Sequence, residues 1–340
     1  MPRLPSTDPP PGITILELDV KAGLRFTVIA VAVLHYLIMS VHADHAAAPA
    51  TRTTTTTVTT KPNFALTAIP ALQGPTFAMW HHRWQGPNLG DYPTDVQSTV
   101  NMVILGVAQS TGNGAIDYSP ANGQSVADHA ADIRAFEAKG IRVSLGFAGG
   151  GDTTTITNDT QVANFVASVD RIRHTYGISG VDVDLEPSGS NWTEPSLVKA
   201  LKQLESRYGT DFNIGITVGL YTPHTARWLD LANALGPTMD YMAPMLYDFP
   251  EAIDSRLTAV SLDKVQIMMD SGIPINKQML GYMQRPSANY QASSPQVIRE
   301  AFTEVKRRHP GIRGAFLWED KIETAEGWSA ARALGPLVRS

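Results

Sequence analysis

From about Phe64 onward, short apolar or β-branched runs alternate with longer amphipathic segments, and the alternation repeats eight times. The candidate strands are 76–80, 101–107, 141–147, 180–186, 212–219, 240–247, 278–283 and 313–318. The segments between them carry helix punctuation. Ser125-x-x-Asp128 resembles a capping box, with Asp in place of the usual Glu or Gln, and that helix stops at Lys139-Gly140. Val162, Phe165, Val166, Val169 and Ile172 follow a 3.6-residue period up to Tyr176-Gly177. Leu197, Leu201 and Leu204 repeat the theme before Tyr208-Gly209, and Gly236 and Gly272 punctuate two more helices. A helix after every strand, with strands apolar on both faces, predicts a parallel sheet covered by helices. An open doubly wound sheet is the alternative. No G-x-G-x-x-G follows a strand to open a helix, so the commonest cofactor signature of that sheet is missing and no cofactor is expected. A single α/β domain, a (β/α)8 TIM barrel, is favoured, and residues 65–340 are close to the ~250 residues such a barrel needs.

Composition sets the outer limits. A chain 43% hydrophobic and 17% charged is not disordered as a whole. Its 27 basic and 32 acidic side chains leave a net charge of −5, so no positive field exists to attract nucleic acid. The absence of cysteine excludes disulfides, thiolate metal sites and a cysteine nucleophile, without fixing the compartment. The first 64 residues read differently from the rest. Residues 26–41, FTVIAVAVLHYLIMSV, follow Lys21 and Arg25 and lead into Val41-His42-Ala43, the layout of a secretory signal. Cleavage is expected after Ala43, with Ala46 to Ala48 as alternatives. The run falls short of the ~20 apolar residues of a spanning helix, and an uncleaved membrane anchor is the competing reading. Residues 51–60, TRTTTTTVTT, hold eight threonines and too little apolar surface to fold, which marks a linker or stalk. Asp8, Glu17 and Asp19 sit poorly in a signal, so the native start is expected near Val20. The organisation is then 1–43 signal or anchor (with 1–19 outside the native protein), 44–64 Ala/Thr-rich linker and 65–340 barrel. A secreted or cell-surface monomer is expected.

The segment richest in chemistry is Gly180-Val181-Asp182-Val183-Asp184-Leu185-Glu186. Side chains alternate along a strand, so Asp182, Asp184 and Glu186 share one face at roughly 6.5 Å intervals, and Val181, Val183 and Leu185 take the other. In an isolated window, acidic residues in water would be the natural reading. In a helix-covered parallel barrel, water reaches the inner face only at the C-terminal mouth, where barrel active sites form. Three carboxylates there repel one another, and at least one is expected to hold a proton at neutral pH, as general acid catalysis requires.

This segment resembles the D-x-x-D-x-D-x-E signature of glycoside hydrolase family 18, the chitinases and endo-β-N-acetylglucosaminidases. Asp182, Asp184 and Glu186 match its last three acidic positions, and Ser179 stands where the family has its first Asp. Phe147-Ala148-Gly149-Gly150 lies where the family has S-x-G-G, keeping both glycines but not the serine. Met245-Leu246-Tyr247-Asp248 matches M-x-Y-D after the sixth strand, and Trp318 ends the eighth, where the family places a tryptophan beneath the sugar. The resemblance extends over about residues 74–335.

The resemblance implies a glycosidase acting beside an N-acetylglucosamine unit, the substrate-assisted exception to the two-carboxylate scheme. Glu186 would protonate the glycosidic oxygen while the substrate's acetamido carbonyl attacks the anomeric carbon, forming an oxazolinium with net retention. Asp184 would hold the acetamido N–H, Asp182 would share a proton with Asp184, and Tyr247 would donate to the acetamido oxygen. Asp248 and Met245 would line the sugar subsite, and Trp318 would floor it. With Ser179 in place of the first Asp, an altered pH dependence is expected rather than lost activity. A lectin would be expected if Glu186 were missing. Trp80, Trp84 and Trp192 lie near the predicted mouth, where stacking on further sugars and packing are both open. Gly149 to Gly151 is read as a tight turn that lets backbone approach the substrate, since no Lys-Ser/Thr follows to make a phosphate loop. His81-His82 points apart on an extended segment, and no metal is expected. Tyr221 could reach the cleft. Only about thirty residues separate the last two strands, so the α+β insertion of deep-clefted relatives is absent, implying an open groove and endo-type cleavage. The partner expected is an N-acetylglucosamine-containing polysaccharide or glycan. A chitinase is favoured over an endo-β-N-acetylglucosaminidase or a non-hydrolytic chitin-binding lectin.

Overall fold

A computed structural model of the chain describes residues 72, 74–120, 122–186, 190–220, 224–248, 254–284 and 292–340, with Asp248 described by its backbone alone. The signal, linker and start-site expectations fall outside these residues. Eight strands form one parallel sheet: β1 (Thr76–His82), β2 (Met102–Gly106), β3 (Arg142–Phe147), β4 (Gly180–Leu185), β5 (Asn213–Val218), β6 (Tyr241–Pro244), β7 (Met279–Tyr282) and β8 (Gly314–Leu317). Their order is β6-β5-β4-β3-β2-β1-β8-β7. The circle closes through parallel bridges Met242–Gln278 and Met245–Gly281. This is the expected (β/α)8 barrel.

The strands are apolar on both faces because each face meets a different core. Outward residues such as Val103, Leu145, Val181, Val183, Leu185, Ile214 and Leu317 join the helix-facing core, which includes Phe165, Leu201 and Phe302. The opposite set fills the barrel: Ala78 and Trp80, Met102 and Ile104, Tyr241 and Ala243, Met279, and Phe316. Interior glycines make room for the large members. A Cβ at Gly146 would stand 2.6 Å from Trp80 Cζ3, and Cβ atoms at Gly215 and Gly281 would overlap the rings of Tyr241 and Phe316.

Six of the seven connections between strands, and the segment after β8, carry the predicted helices. These are α1 (Val126–Ala138), α2 (Asp159–Tyr176), α3 (Glu194–Tyr208), α4 (Thr225–Leu235), α5 (Leu257–Asp270), α6 (Pro295–Arg308), and after β8 α7 (Asp320–Ala325) and α8 (Ser329–Arg339). Ser125 Oγ accepts the Asp128 N–H at 3.1 Å and donates to Asp128 Oδ2 at 2.7 Å, so Ser125 is the N-cap and the Asp128 carboxylate answers its hydroxyl. Gly177, at φ 88°, ends α2 in the left-handed region. The exception is the connection from β1 to β2, which holds only a short 3-10 turn and the helical turn Thr94–Gln97. Pro87 and Pro93 interrupt that segment, and it has no apolar 3.6-residue run. The outer face of β1 is covered by α8 instead: Phe77 and Met79 share a core with Ala330, Ala331, Leu334 and Val338.

Candidate active site

β4 brings its acidic residues into a single line from the barrel interior to the mouth. Asp182 is fully buried, Asp184 is 3% exposed, and Glu186 lies one residue past the strand end and is partly exposed. Asp182 and Glu186 are held from neighbouring segments of the barrel. Asp182, Gly215 and Tyr241 stand abreast in register on β4, β5 and β6. Because the middle one has no side chain, the Tyr241 hydroxyl reaches past it and donates to Asp182 Oδ2. Burial pushes the Asp182 carboxyl up to about 6, against hydrogen bonds from Tyr241 and Thr217 that pull it down. The Glu186 carboxyl is also raised by burial, opposed by the Gly150 N–H, which donates to Oε1 at 2.7 Å. Repulsion between carboxylates was the expected source of the trapped proton. Loss of water leads for both residues instead.

The glycine pair after β3 serves these carboxylates. A Cβ at Gly149 would sit 2.7 Å from Asp184 Oδ2, and one at Gly150 would sit 2.8 Å from Glu186 Oε2. The tight turn expected here brings its backbone against the acids themselves. The left-handed positions are its neighbours, Ala148 at φ 72° and Gly151 at φ 81°. Above the line, Trp318 follows β8 and its ring lies 6.4 Å from that of Tyr247 at an interplanar angle of 29°. Tyr247 and Met245 are each 4% exposed and belong to the barrel-filling cluster. The structure thus groups Gly149 and Gly150 with Asp184 and Glu186, and Tyr247 with Trp318, while Met245 lies in the same barrel-filling cluster as Tyr247. The side chain of Asp248, and Tyr221 entirely, lie outside the described residues.

Other expectations change. Trp80 is 1% exposed and offers no face to a sugar. Its ring packs 5.3 Å from Trp318 and supports it from below. Of the two roles left open for Trp80, the structure shows packing within the barrel-filling cluster. Trp192 is buried beneath the Arg227 guanidinium, 3.7 Å from its ring centroid, whereas Trp84 is 41% exposed. His81 and His82 do part: His81 Nδ1 pairs with Asp320 at 2.6 Å, and His82 faces Glu319. Ser179 leaves the acid network untouched. Its Oγ accepts the Val143 N–H at 3.1 Å and also hydrogen-bonds Glu137, a residue of the outer helix α1. The expected disturbance of Asp182 and Asp184 thus has no contact to carry it. The residues missed by sequence reasoning are Tyr241 and Gly215. Their signal is an inward glycine beside an inward tyrosine on neighbouring strands.

Comparison with known proteins agrees with this geometry. The model of the family described as glycosyl hydrolases family 18 matches residues 76–319. The chain is 30% identical to an endo-beta-N-acetylglucosaminidase of Flavobacterium sp. (strain SK1022), over 63% of this chain and 74% of that protein. It is 26% identical to Chitinase Chi52 of Paenibacillus xylanexedens over 41% of this chain, yet spans only 30% of that protein's length. In fold it is similar to the family GH18 chitinase of Chromobacterium violaceum, with a TM-score of 0.68 at 22% identity, covering 78% of this chain and 84% of the other. The catalytic domain of a fern chitinase (Peteris ryukyuensis) superposes with a TM-score of 0.63 at 16% identity, covering 78% of this chain and all of the other. The family match spans the barrel from its first strand to the residue after Trp318, and the chain belongs to family 18 of the glycosyl hydrolases.

Proposed function

We propose that this chain is a secreted, chitinase-like hydrolase that cleaves β-1,4-linked N-acetylglucosamine polymers with retention, the substrate's acetamido group acting as nucleophile. The observation that carries the reading is Glu186. It is a partly exposed carboxyl raised by burial and oriented by the Gly150 N–H, at the outer end of a line of acids. A raised carboxyl keeps its proton nearer neutrality, which suits a general acid. Glu186 gives that proton to the glycosidic oxygen as the anomeric C–O bond breaks. The acetamido carbonyl oxygen forms the new bond to the anomeric carbon, and Asp184 accepts the acetamido N–H and offsets the developing positive charge. The Glu186 carboxylate then takes a proton from the water that opens the oxazolinium, which restores the acid. Trp318 offers its ring as the sugar's floor, and Tyr247 orients the acetamido oxygen from beside it.

Turnover of fluorogenic chitotriose tests the reading. Glu186→Gln should reduce kcat by about 10³-fold while the fold is kept. Binding of chitotriose without turnover by the unaltered protein would make it a lectin, and turnover unaffected by the substitution would remove Glu186 from the acid's role. A second reading, an endo-β-N-acetylglucosaminidase acting on protein-linked glycans, is supported by the Flavobacterium relative, which is matched over more of its length than the chitinase is. Glycan release from a glycoprotein, with chitin oligomers left intact, would select it.

A further inference from the structure

We propose that Asp152 is a positioning residue for the proton donor: its side chain ties the glycine turn after β3 to a neighbouring hairpin, so that the Gly150 N–H stays aimed at Glu186. This rests on the reading of Glu186 as the general acid. The turn has little means of holding itself. Gly149, Gly150 and Gly151 are consecutive, and glycine gives up more backbone freedom on ordering than any other residue. Ala148, at φ 72°, occupies the left-handed region that a residue with a Cβ avoids. Yet the Gly150 N–H stands 2.7 Å from Glu186 Oε1, and a Cβ at Gly149 would meet Asp184 Oδ2. A contact so close needs support from outside the glycines.

Asp152 gives that support through its backbone and both carboxylate oxygens. Its N–H donates to Gly149 O at 3.0 Å, which closes a turn around Gly150 and Gly151. Its Oδ2 accepts the Thr154 N–H at 3.2 Å, the local bond that aspartate makes in turns. Its Oδ1 reaches across to another segment and accepts the Ser110 N–H at 3.0 Å. Ser110 belongs to the hairpin formed by Gln109–Gly112 and Ala115–Asp117.

That hairpin is itself fastened to α2. The Ile116 N–H donates to Ser168 Oγ at 3.1 Å, Asn164 Nδ2 to Asn113 O at 2.8 Å, and Arg171 Nη2 to Ile116 O at 3.0 Å. Gly114 lies so near the helix that a Cβ there would stand 2.6 Å from Gln161 Cα. Support thus runs from α2 through the hairpin and the Asp152 carboxylate to the Gly150 N–H. Beyond Asp152, Thr155–Ile156 pairs with Asn191–Trp192, which anchors the downstream chain but not the glycines. Asp152 acts on the reaction through Glu186 and touches no reacting atom.

Two measurements test this. On fluorogenic chitotriose, Asp152→Ala should lower kcat about tenfold with KM nearly unchanged, and Asp152→Asn, which keeps one acceptor, about threefold. A loosened loop alone would also cost activity, so the Glu186 carboxyl is titrated directly by carboxyl-carbon NMR of glutamate-labelled protein, its signal assigned with Glu186→Gln. The Gly150 N–H pulls the Glu186 carboxyl down against burial, so its loss should move the titration midpoint to higher pH. Both substitutions remove the Asp152 charge, which by itself moves the midpoint to lower pH. The midpoint in Asp152→Ala should therefore lie above that in Asp152→Asn. Equal midpoints in the two variants, even with a lowered melting temperature, would make Asp152 a purely structural residue and overturn the assignment. The titration needs no turnover. If the unaltered protein leaves chitotriose intact, the proposed reaction falls, and the midpoints still decide whether Asp152 aims the Gly150 N–H.

Discussion

Two aspartates of the barrel, Asp182 in its interior and Asp240 at its floor, face the same difficulty in opposite company. Burial raises both. Asp240 accepts the Ile214 N–H at 2.7 Å and has Arg313, Lys277 and Arg142 near enough to pull its carboxyl back down. Asp182 is opposed only by neutral donors, Tyr241 and Thr217. Among the described residues, Glu186 likewise has a backbone N–H and no cation acting on it. A carboxylate ringed by cations is a structural charge. One left with neutral donors keeps a proton that chemistry can use.

The largest expected effect separates the two ends by pH. Asp182 has an ordinary value of 3.8 and is held at about 6 in the folded state, so the fold binds the extra proton between those limits. The stability this gives is complete below pH 4 and is lost as pH rises through about 6, a change of about 3 kcal/mol. Glu319 and Glu323, each pushed up to about 7 by burial, act in the same direction. The thermal midpoint should therefore fall between pH 5 and pH 8, and Asp182→Asn should flatten that slope; a flat slope in the unaltered protein would erase the contrast. Next comes Gly150→Ala. Its Cβ would displace Glu186, and kcat should fall about a hundredfold, about 2.7 kcal/mol, with the melting temperature almost unchanged. Asp240→Ala should do the reverse, costing about 2 kcal/mol of stability by stranding the floor cations, while activity per folded molecule stays constant. The smallest effect is that of Tyr241→Phe. Losing one hydrogen bond costs about 1 kcal/mol, and because that bond lowers Asp182, the limb of the pH–rate profile that Asp182 governs should move to higher pH.

The barrel was legible because every strand is a short apolar run and most connections carry a 3.6-residue period, as in α2 with Val162, Phe165, Val166, Val169 and Ile172. The acid line was legible for an equally local reason, since residues 182, 184 and 186 are separated by the strand's own repeat. What escaped was set between strands. Tyr241 meets Asp182 across Gly215, a relation among three segments that no window of sequence contains. Depth escaped too: Trp80 and Trp318 both point inward, but only the three-dimensional stacking shows which one supports the other. The missing helix after β1 is written in Pro87 and Pro93, which break the segment before a helix could form.

That gap has a mechanical outcome. Gly335 lets α8 come so close to β1 that a Cβ there would stand 2.9 Å from Phe77 Cε1 and 2.5 Å from Thr99 Oγ1. The first stave of the barrel is thus latched by the last helix, over two hundred positions away in sequence. A protease that clipped the final two turns would wet the back of β1 and loosen the whole cylinder, with every acid on β4 still covalently in place.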